Sequence, residues 1–255
     1  MDAEAGNGGP ANWRIEAVLD WATARGFRQG ENPARWRGHL DKLLPARAKV
    51  RKVKHHAALP YDDLPEFTAA LRAQDGVPAR ALEFLILTAA RTGEMIGARP
   101  DEVKDEVWTV PAGRMKGGAE HRVPLSAPAA VIAGTMKKEH GGAFLFPGGK
   151  PGKPLSNMAM LALLERMGRV DLAAHGFRST FRDWAAERTN HPRDVVEMAL
   201  AHVIENKVEA AYRRGDLFEK RRLLMAEWAE FCAQVKCAGD DRAAPVRRRG
   251  WRGVP

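Results

Sequence analysis

Cysteine is scarce in this sequence, with only Cys232 and Cys237 among 255 residues. Two thiols close together in one helix-like segment exclude a disulfide framework, and they read as core and surface thiols of a reducing compartment. No apolar stretch approaches the roughly 20 residues that cross a bilayer. The opening Met-Asp-Ala-Glu-Ala lacks the basic and apolar halves of a secretion signal, so the expected location is cytoplasmic. The acidic pairs Asp62-Asp63, Asp101-Glu102 and Asp105-Glu106 are scattered and do not make a two-metal array. The His55-His56 pair has no metal-ligand spacing, and no G-x-x-x-x-G-K-[ST] loop is present to cradle a nucleotide. Neither metal nor cofactor is expected. Tyrosine is as scarce as cysteine, with Tyr61 and Tyr212 alone.

What remains is a basic, globular composition. Hydrophobic residues make up 45% and charged residues 29%, enough for one large domain or two smaller ones with ample core. The formal net charge is +9, and the excess is arginine-heavy. Guanidinium makes forked, paired hydrogen bonds to phosphate oxygens. Many basic proteins bind nothing in particular, so charge alone favours a nucleic-acid partner only modestly.

Along the chain, Gly- and Ala-rich residues 1–11 read as a disordered leader. Ile15, Val18, Leu19 and Ala22 recur at helical spacing within 13–25, which Gly26 ends. Asn32-Pro33 is expected to open a second helix carrying Trp36, Leu40, Leu43 and Leu44, stopped by Pro45. Residues 12–45 thus make a small or partial helical unit, too little to bury much surface alone. Residues 46–58 form a basic linker whose Arg47, Lys49, Arg51, Lys52 and Lys54 suit a solvated connector. They equally suit a segment lying against phosphates, and both readings stand.

A larger domain is expected over 59–237, mainly α with a small antiparallel sheet. Helices are predicted at about 62–74 and 78–90. Strands are predicted at Val107–Val110 and His121–Leu125, joined by the Gly-rich turn 113–119, with Pro124 on an edge. Gly141-Gly142 and 147–154 read as loop. Ser156 is expected to cap a helix with Met158, Leu161, Leu164 and Met167 on one face. The helix after Gly176 turns Phe177, Phe181 and Trp184 inward, and His191-Pro192 breaks it. A further helix runs from Asp194 through Leu200. The last helix carries a core stripe of Leu217, Leu224, Trp228, Phe231 and Val235. Residues 238–255 read as a disordered basic tail.

The chemistry sits in one ordered set: Arg91, Lys116, His175-x-x-Arg178, His202 and Tyr212. Cations, hydrogen-bonding groups and a phenol, without clustered carboxylates, suit metal-free attack on a phosphodiester. Such attack must balance charge on the phosphoryl oxygens, deprotonate the nucleophile and protonate the leaving sugar oxygen. Arg91 and Arg178 can each offer a planar fork to a non-bridging oxygen. Arg91 could instead pair with Glu94, but at a helix-helix turn the phosphate is the better partner. On its residues alone Lys116 is an ordinary solvated charge in a turn. His175 and His202 would, as isolated histidines, be structural hydrogen-bonders. His202 follows a helix whose C-terminus favours an imidazolium. His39, His140 and His191 carry no functional signal.

That ordered set resembles the active site of the tyrosine recombinases. The surrounding phrases Arg91-Thr92-Gly93-Glu94, Glu120-His121-Arg122-Val123-Pro124-Leu125 and His175 to Glu187 are similar to those of prophage and genomic-island integrases. The resemblance runs from about Asn12 to about Val235. It implies a catalytic domain preceded by a partial helical core-binding domain, with no arm-type DNA-binding domain ahead of it. It implies Arg91 and Arg178 as oxyanion clamps, Lys116 as the acid for the leaving 5′ oxygen, and His175 in proton transfer. His202 would donate to a non-bridging oxygen, and Tyr212 would form a 3′-phosphotyrosyl link. Tyr61 precedes the whole catalytic segment and reads as a packing residue at the domain junction, which also leaves Tyr212 as nucleophile. Arg213 and Arg214 hold DNA or are solvated. The implied partners are a double-stranded DNA attachment site and a homo-tetramer on synapsed DNA, in a nucleoid-associated setting. The rivals are a type IB topoisomerase-like strand transferase and a DNA-binding remnant without full recombination activity.

Overall fold

The chain divides into two units, Met1–His55 and His56–Pro255. The computed structural model describes residues 10–44, 58–202 and 215–234. Most of the expected leader, all but residue 58 of the basic linker and the whole tail 238–255 lie outside the described residues.

In the first unit, helix α1 spans Pro10–Ala24, so residues 10 and 11 are helical rather than part of a disordered leader. Its expected apolar face is only partly covered: Ile15 and Val18 are exposed, while Leu19 and Ala22 are half-buried, and Trp13 and Trp21 on the same helix are exposed as well. Polar bonds tie the unit together instead. Asn32 is buried, and its Nδ2 donates to the Glu16 carbonyl at 2.9 Å and to Asp20 Oδ1 at 2.7 Å. Its Oδ1 accepts from the Ala34 amide at 2.9 Å, an Asx turn that reverses the chain. The expected second helix does not form. Arg37 (ψ 126°) and Gly38 (φ 76°) leave helical backbone, and only a short turn at Asp41–Leu43 remains. A glycine in the left-handed region ends a helix at little cost, which the apolar spacing of Trp36 and Leu40 does not register.

In the second unit, α2 spans Leu64–Arg72 with Pro65 in its first turn, and it buries Leu64, Phe67, Thr68 and Leu71 at helical spacing. Helix α3, Val77–Thr88, is buried on every side, the pattern of a helix wrapped by others. Its one buried carboxylate, Glu83, is neutralised by Arg72 Nε at 2.6 Å and Arg80 Nη1 at 3.3 Å. Ala89 takes the left-handed conformation (φ 49°) and stops α3. The chain then turns into α4, Thr92–Ile96. Strands β1 (Val103–Lys104), β2 (Val107–Val110) and β3 (His121–Pro124) form an antiparallel sheet in that order. Val107 pairs with Pro124 and Val110 with His121, so Pro124 sits on an edge strand where a missing N–H is tolerated. Strand β1 is two residues long, too short to leave a sequence pattern.

Helix α5, Ala127–His140, was not anticipated. Its buried Ala129, Ile132, Ala133 and Met136 are diluted by Ala and Gly, so the apolar period is faint. Helix α6, Ala159–Arg166, buries Met160, Leu163 and Leu164. The stripe expected through Met158 and Leu161 is therefore rotated, and both of those residues are exposed. Ser156 stands ahead of the helix and accepts from the Met158 amide at 3.2 Å. Helix α7, Gly176–Arg188, buries Phe177, Phe181 and Trp184 as expected. Helix α8 is Arg193–Ala199 and α9 is Phe218–Ala233. Leu217 precedes α9 in the left-handed region rather than starting its core stripe, and Val235 is outside the described residues.

The core closes around α3, which packs against α2, α4, α5, α6, α7 and α9. Aromatic rings lock α7 to α9: Trp184 and Trp228 lie 4.8 Å apart, and Phe181 meets Trp228 edge-on at 5.2 Å. Such pairs add stabilisation beyond burial. Trp228 Nε1 donates to the Ile86 carbonyl at 2.8 Å, so the indole proton is satisfied within the core. Cys232 is buried on the same helix, and burial pushes its thiol pKa up, leaving it inert. Among the described residues no helix is long and apolar enough to cross a membrane.

Candidate active site

Two chain reversals build the site. At the end of α3 the left-handed Ala89 lets Arg91 run extended (φ −76°, ψ 146°) as the N-cap of α4. At the end of α8 the left-handed Ala201 (φ 49°) stops the helix and delivers His202. Arg178 reaches both ends from the first turn of α7, donating through Nη1 to the Ala89 carbonyl and through Nη2 to the Leu200 carbonyl at 2.7 Å. Arg91 Nη2 donates to the neighbouring Ala201 carbonyl at 2.9 Å. Both guanidinium groups therefore converge on the segment that follows α8. Helix-terminal carbonyls have no partner within their helix, so the arginines satisfy groups that would otherwise be orphaned.

Glu94 backs the first arginine. Its carboxylate accepts from Arg91 Nη1 at 2.7 Å and from the Arg91 amide at 2.9 Å. The ion pair that the sequence reading set aside in favour of phosphate is thus present. It uses one edge of the guanidinium, and the side chain stays about a quarter exposed. Arg178 is only 5% exposed. Burial, with the nearby Arg91 charge acting in the same sense and Glu94 and Glu197 opposing, lowers its pKa to about 10. It remains charged at neutral pH. Two cations placed close enough to disfavour one another make a site that gains from an incoming anion.

His202 is fixed at both ring nitrogens. Nε2 lies 3.2 Å from Arg178 Nη2, and Nδ1 lies 2.5 Å from Glu197 Oε2. A guanidinium has only donors, so Nε2 accepts there and the ring proton sits on Nδ1, facing Glu197. This assignment follows from the bonding network. Glu197 also pairs with Arg182 Nη2 at 3.2 Å. Burial alone would raise its carboxyl pKa, but the His202 hydrogen bond and the Arg182 and Arg193 charges outweigh it and hold the group below its ordinary range.

Lys116 stands exposed on the turn between β2 and β3, and the turn itself is anchored. Arg114 Nη1 donates to the Glu94 carbonyl at 3.0 Å, and Nη2 bonds the Glu102 carboxylate. His175 is exposed at the head of α7, where its carbonyl accepts the Arg178 amide at 3.2 Å. His121 on β3 sits beside the same helix ends. Burial drives its pKa down to about 4, with Arg221 and Arg91 adding to the shift, while Glu94 and a hydrogen bond to the Ala199 backbone oppose it.

Of the expected site residues, Arg178 bonds His202 directly, and Arg91 joins them through the adjoining Ala201 carbonyl. Lys116 is tied to the Arg91 helix through Arg114, and His175 adjoins Arg178 in sequence. Tyr212, Arg213 and Arg214 lie outside the described residues, as do Arg47, Lys49, Arg51, Lys52 and Lys54. Tyr61 is occupied elsewhere. Its hydroxyl donates to Glu187 at 2.8 Å, which raises the phenol pKa, and its ring faces Phe231 at 6.3 Å. Sequence reasoning gave no role to Glu197, Arg114 or His121. Arg114 lay within the Gly-rich turn 113–119 and His121 inside a quoted motif, whereas Glu197 had no signal beyond lying five residues before His202.

The model of the phage integrase family matches residues 58–217. The chain is 39% identical over 176 residues to "Prophage integrase IntA" of Escherichia coli K12, covering 66% of this chain and 42% of that protein. It is 34% identical over 240 residues to the integrase of Enterobacteria phage P4, covering 86% of this chain and 53% of that protein. The chain thus spans about half the length of these curated relatives. In fold it is similar to lambda integrase in a dimer bound to a COC′ core site, with TM-score 0.54, 16% identity, and 76% of this chain and 71% of that one covered. It is also similar to the integrase from mycobacterium phage Brujita, with TM-score 0.52, 18% identity, and coverage of 91% and 77%.

Proposed function

This chain belongs to the phage integrase family, and on that footing we propose that it is a site-specific DNA recombinase that breaks and rejoins strands through a phosphotyrosine. The observation that carries the reading is the convergence of Arg91 and Arg178 on the residues that close α8. That arrangement is a preorganised cationic site of the kind that stabilises charge on a phosphoryl group.

In the proposed reaction a duplex lies with its scissile phosphate between Arg91, Arg178 and His202. Each arginine gives donors to a non-bridging oxygen, and His202, held through Nδ1 by Glu197, donates from Nε2 once that nitrogen takes up a proton and exchanges its Arg178 contact for the phosphate. The phenol of Tyr212 loses its proton with the help of His175, and the oxygen attacks phosphorus. The bond from phosphorus to the 5′ oxygen breaks, and the Lys116 ammonium supplies the proton that this oxygen takes up. The products are a 3′-phosphotyrosyl enzyme and a free 5′ hydroxyl. Attack by a 5′ hydroxyl from a second duplex reverses these steps and frees the tyrosine. The phosphotyrosyl bond keeps the energy of the broken one, so resealing needs no nucleotide.

Arg47, Lys49, Arg51, Lys52, Lys54, Arg213 and Arg214 would contact phosphates along the duplex, which is a salt-sensitive source of affinity. Lambda integrase has been solved as a tetramer bound to a Holliday junction, which supports the same assembly for this chain. The test is a randomised pool of nicked duplexes incubated with the protein in excess chelator, with covalent capture of adducts. Recovered sites should then recombine in pairs. Relaxation of supercoiled plasmid without joining of paired sites would instead favour the topoisomerase-like reading.

A further inference from the structure

The turn that carries Lys116 would be loose by its sequence alone, because Gly113, Gly117 and Gly118 flank the lysine and leave it few backbone constraints. One side chain removes that freedom. Arg114 sends Nη1 to the Glu94 carbonyl at 3.0 Å and Nη2 to the Glu102 carboxylate. Glu102 is itself fixed, accepting from Trp108 Nε1 on β2 at 3.1 Å and from the Arg99 amide at 3.2 Å. Met115, between Arg114 and Lys116, is 9% exposed and packs into the core. The path to α4 is open because residue 97 is glycine: a Cβ there would stand 2.6 Å from Arg114 Nη1. The same Glu94 whose carbonyl receives Arg114 uses its carboxylate to hold Arg91. One residue of α4 thus ties the lysine turn to the arginine clamp.

We propose that Arg114 is a positioning residue that holds the Lys116 turn against α4, so that the ammonium meets the leaving 5′ oxygen of a phosphate bound at Arg91. This rests on the reading of Lys116 as the acid of strand cleavage. The two-pronged geometry needs a guanidinium. A lysine at 114 keeps the charge but cannot bond the Glu94 carbonyl and the Glu102 carboxylate together in this fork. Gly97→Ala tests the same contact from the other side, because its backbone (φ −81°) accepts alanine while the added methyl displaces the guanidinium.

The experiment uses the full chain and a captured nicked duplex made in two forms, one natural and one with sulfur replacing the 5′ bridging oxygen. A thiol has a pKa of about 8.5, so a thiolate leaves without an acid. Lys116→Ala should cleave the natural substrate poorly and the sulfur substrate near the wild-type rate. Arg114→Lys and Gly97→Ala should each slow the natural substrate roughly 10- to 100-fold and should likewise be rescued by sulfur. Arg91→Ala should be rescued on neither. If Lys116→Ala is rescued while the Arg114 and Gly97 variants are equally slow on both substrates, Arg114 supports the site as a whole and the proposal fails. Unimpaired cleavage by those variants also overturns it. If Lys116→Ala itself is not rescued, the fault lies with the lysine as acid, and the positioning role falls with it.

Discussion

The two units hold themselves together by different means. The second buries a continuous apolar core from Leu59 to Cys232 around a helix enclosed on every side. The first, over residues 10–44, buries only Asn32 and Ala34 and leaves a row of large apolar side chains along α1 exposed. Apolar spacing along a helix therefore did not forecast burial. Burial requires partners as well as a pattern, and Ile15 and Val18 have the pattern alone. The same lesson applies within the site, where the motif residues were readable in order but their partners were not.

Truncating a core ring should have the largest effect on this contrast. Trp228→Ala removes an indole packed among Phe181, Trp184 and Phe231, and it should cost roughly 3–5 kcal/mol in denaturant unfolding of the full chain. Val18→Ala on the exposed face of α1 should stay within about 0.5 kcal/mol. Comparable losses from the two substitutions would erase the distinction between the units.

Arg178→Lys keeps a charge but gives up the fork that serves the Ala89 and Leu200 carbonyls. Cleavage should fall roughly 10²- to 10³-fold by single-turnover adduct formation, the scale of losing a fixed donor to a developing oxyanion. Retention of more than a tenth of the wild-type rate would show that the buried guanidinium is structural only.

His121 gives a pH signature confined to the second unit. Its pKa is about 4 in the fold against an ordinary value near 6.5, so the unfolded chain binds the extra proton first. Stability is full above pH 6.5 and is lost as pH falls toward 4, by at most roughly 3 kcal/mol. His121→Gln should flatten that limb in denaturant titrations at pH 7.0 and pH 4.5. An unchanged slope would assign the acid loss to other groups.

The smallest effect concerns the basic segment joining the units. Each phosphate contact adds roughly 0.9 to the salt slope of duplex binding. Lys52→Gln with Lys54→Gln should therefore lower the slope by about 1.8 if both residues lie against DNA. An unaltered slope would make this segment a plain connector.

What was legible follows from how each feature is encoded. Helix α7 declared itself because Phe177, Phe181 and Trp184 are large and correctly spaced, and β2 and β3 because their apolar residues flank a glycine turn. Helix α5 was hidden by small residues, β1 by its length, and the break at Gly38 by a backbone conformation that hydrophobic spacing does not report. Arg91, Arg178 and His202 were legible as motif members. Their joint attachment to residues 200–202 was not, because it depends on two left-handed alanines, Ala89 and Ala201, whose sequence gives no hint of that conformation. Glu197, the partner of His202, becomes visible only once α8 has folded and brought its side chain back onto the imidazole.

The central claim is that Tyr212 is the nucleophile, and the most direct measurement is covalent capture on a nicked duplex with two single-atom variants. Tyr212→Phe should bind DNA with unchanged affinity and form no adduct, while Tyr61→Phe, whose hydroxyl donates to Glu187, should form adduct at the wild-type level. Peptide mapping of the wild-type adduct should find the nucleotide on residue 212. An adduct that persists in Tyr212→Phe, or that disappears in Tyr61→Phe, would contradict the account.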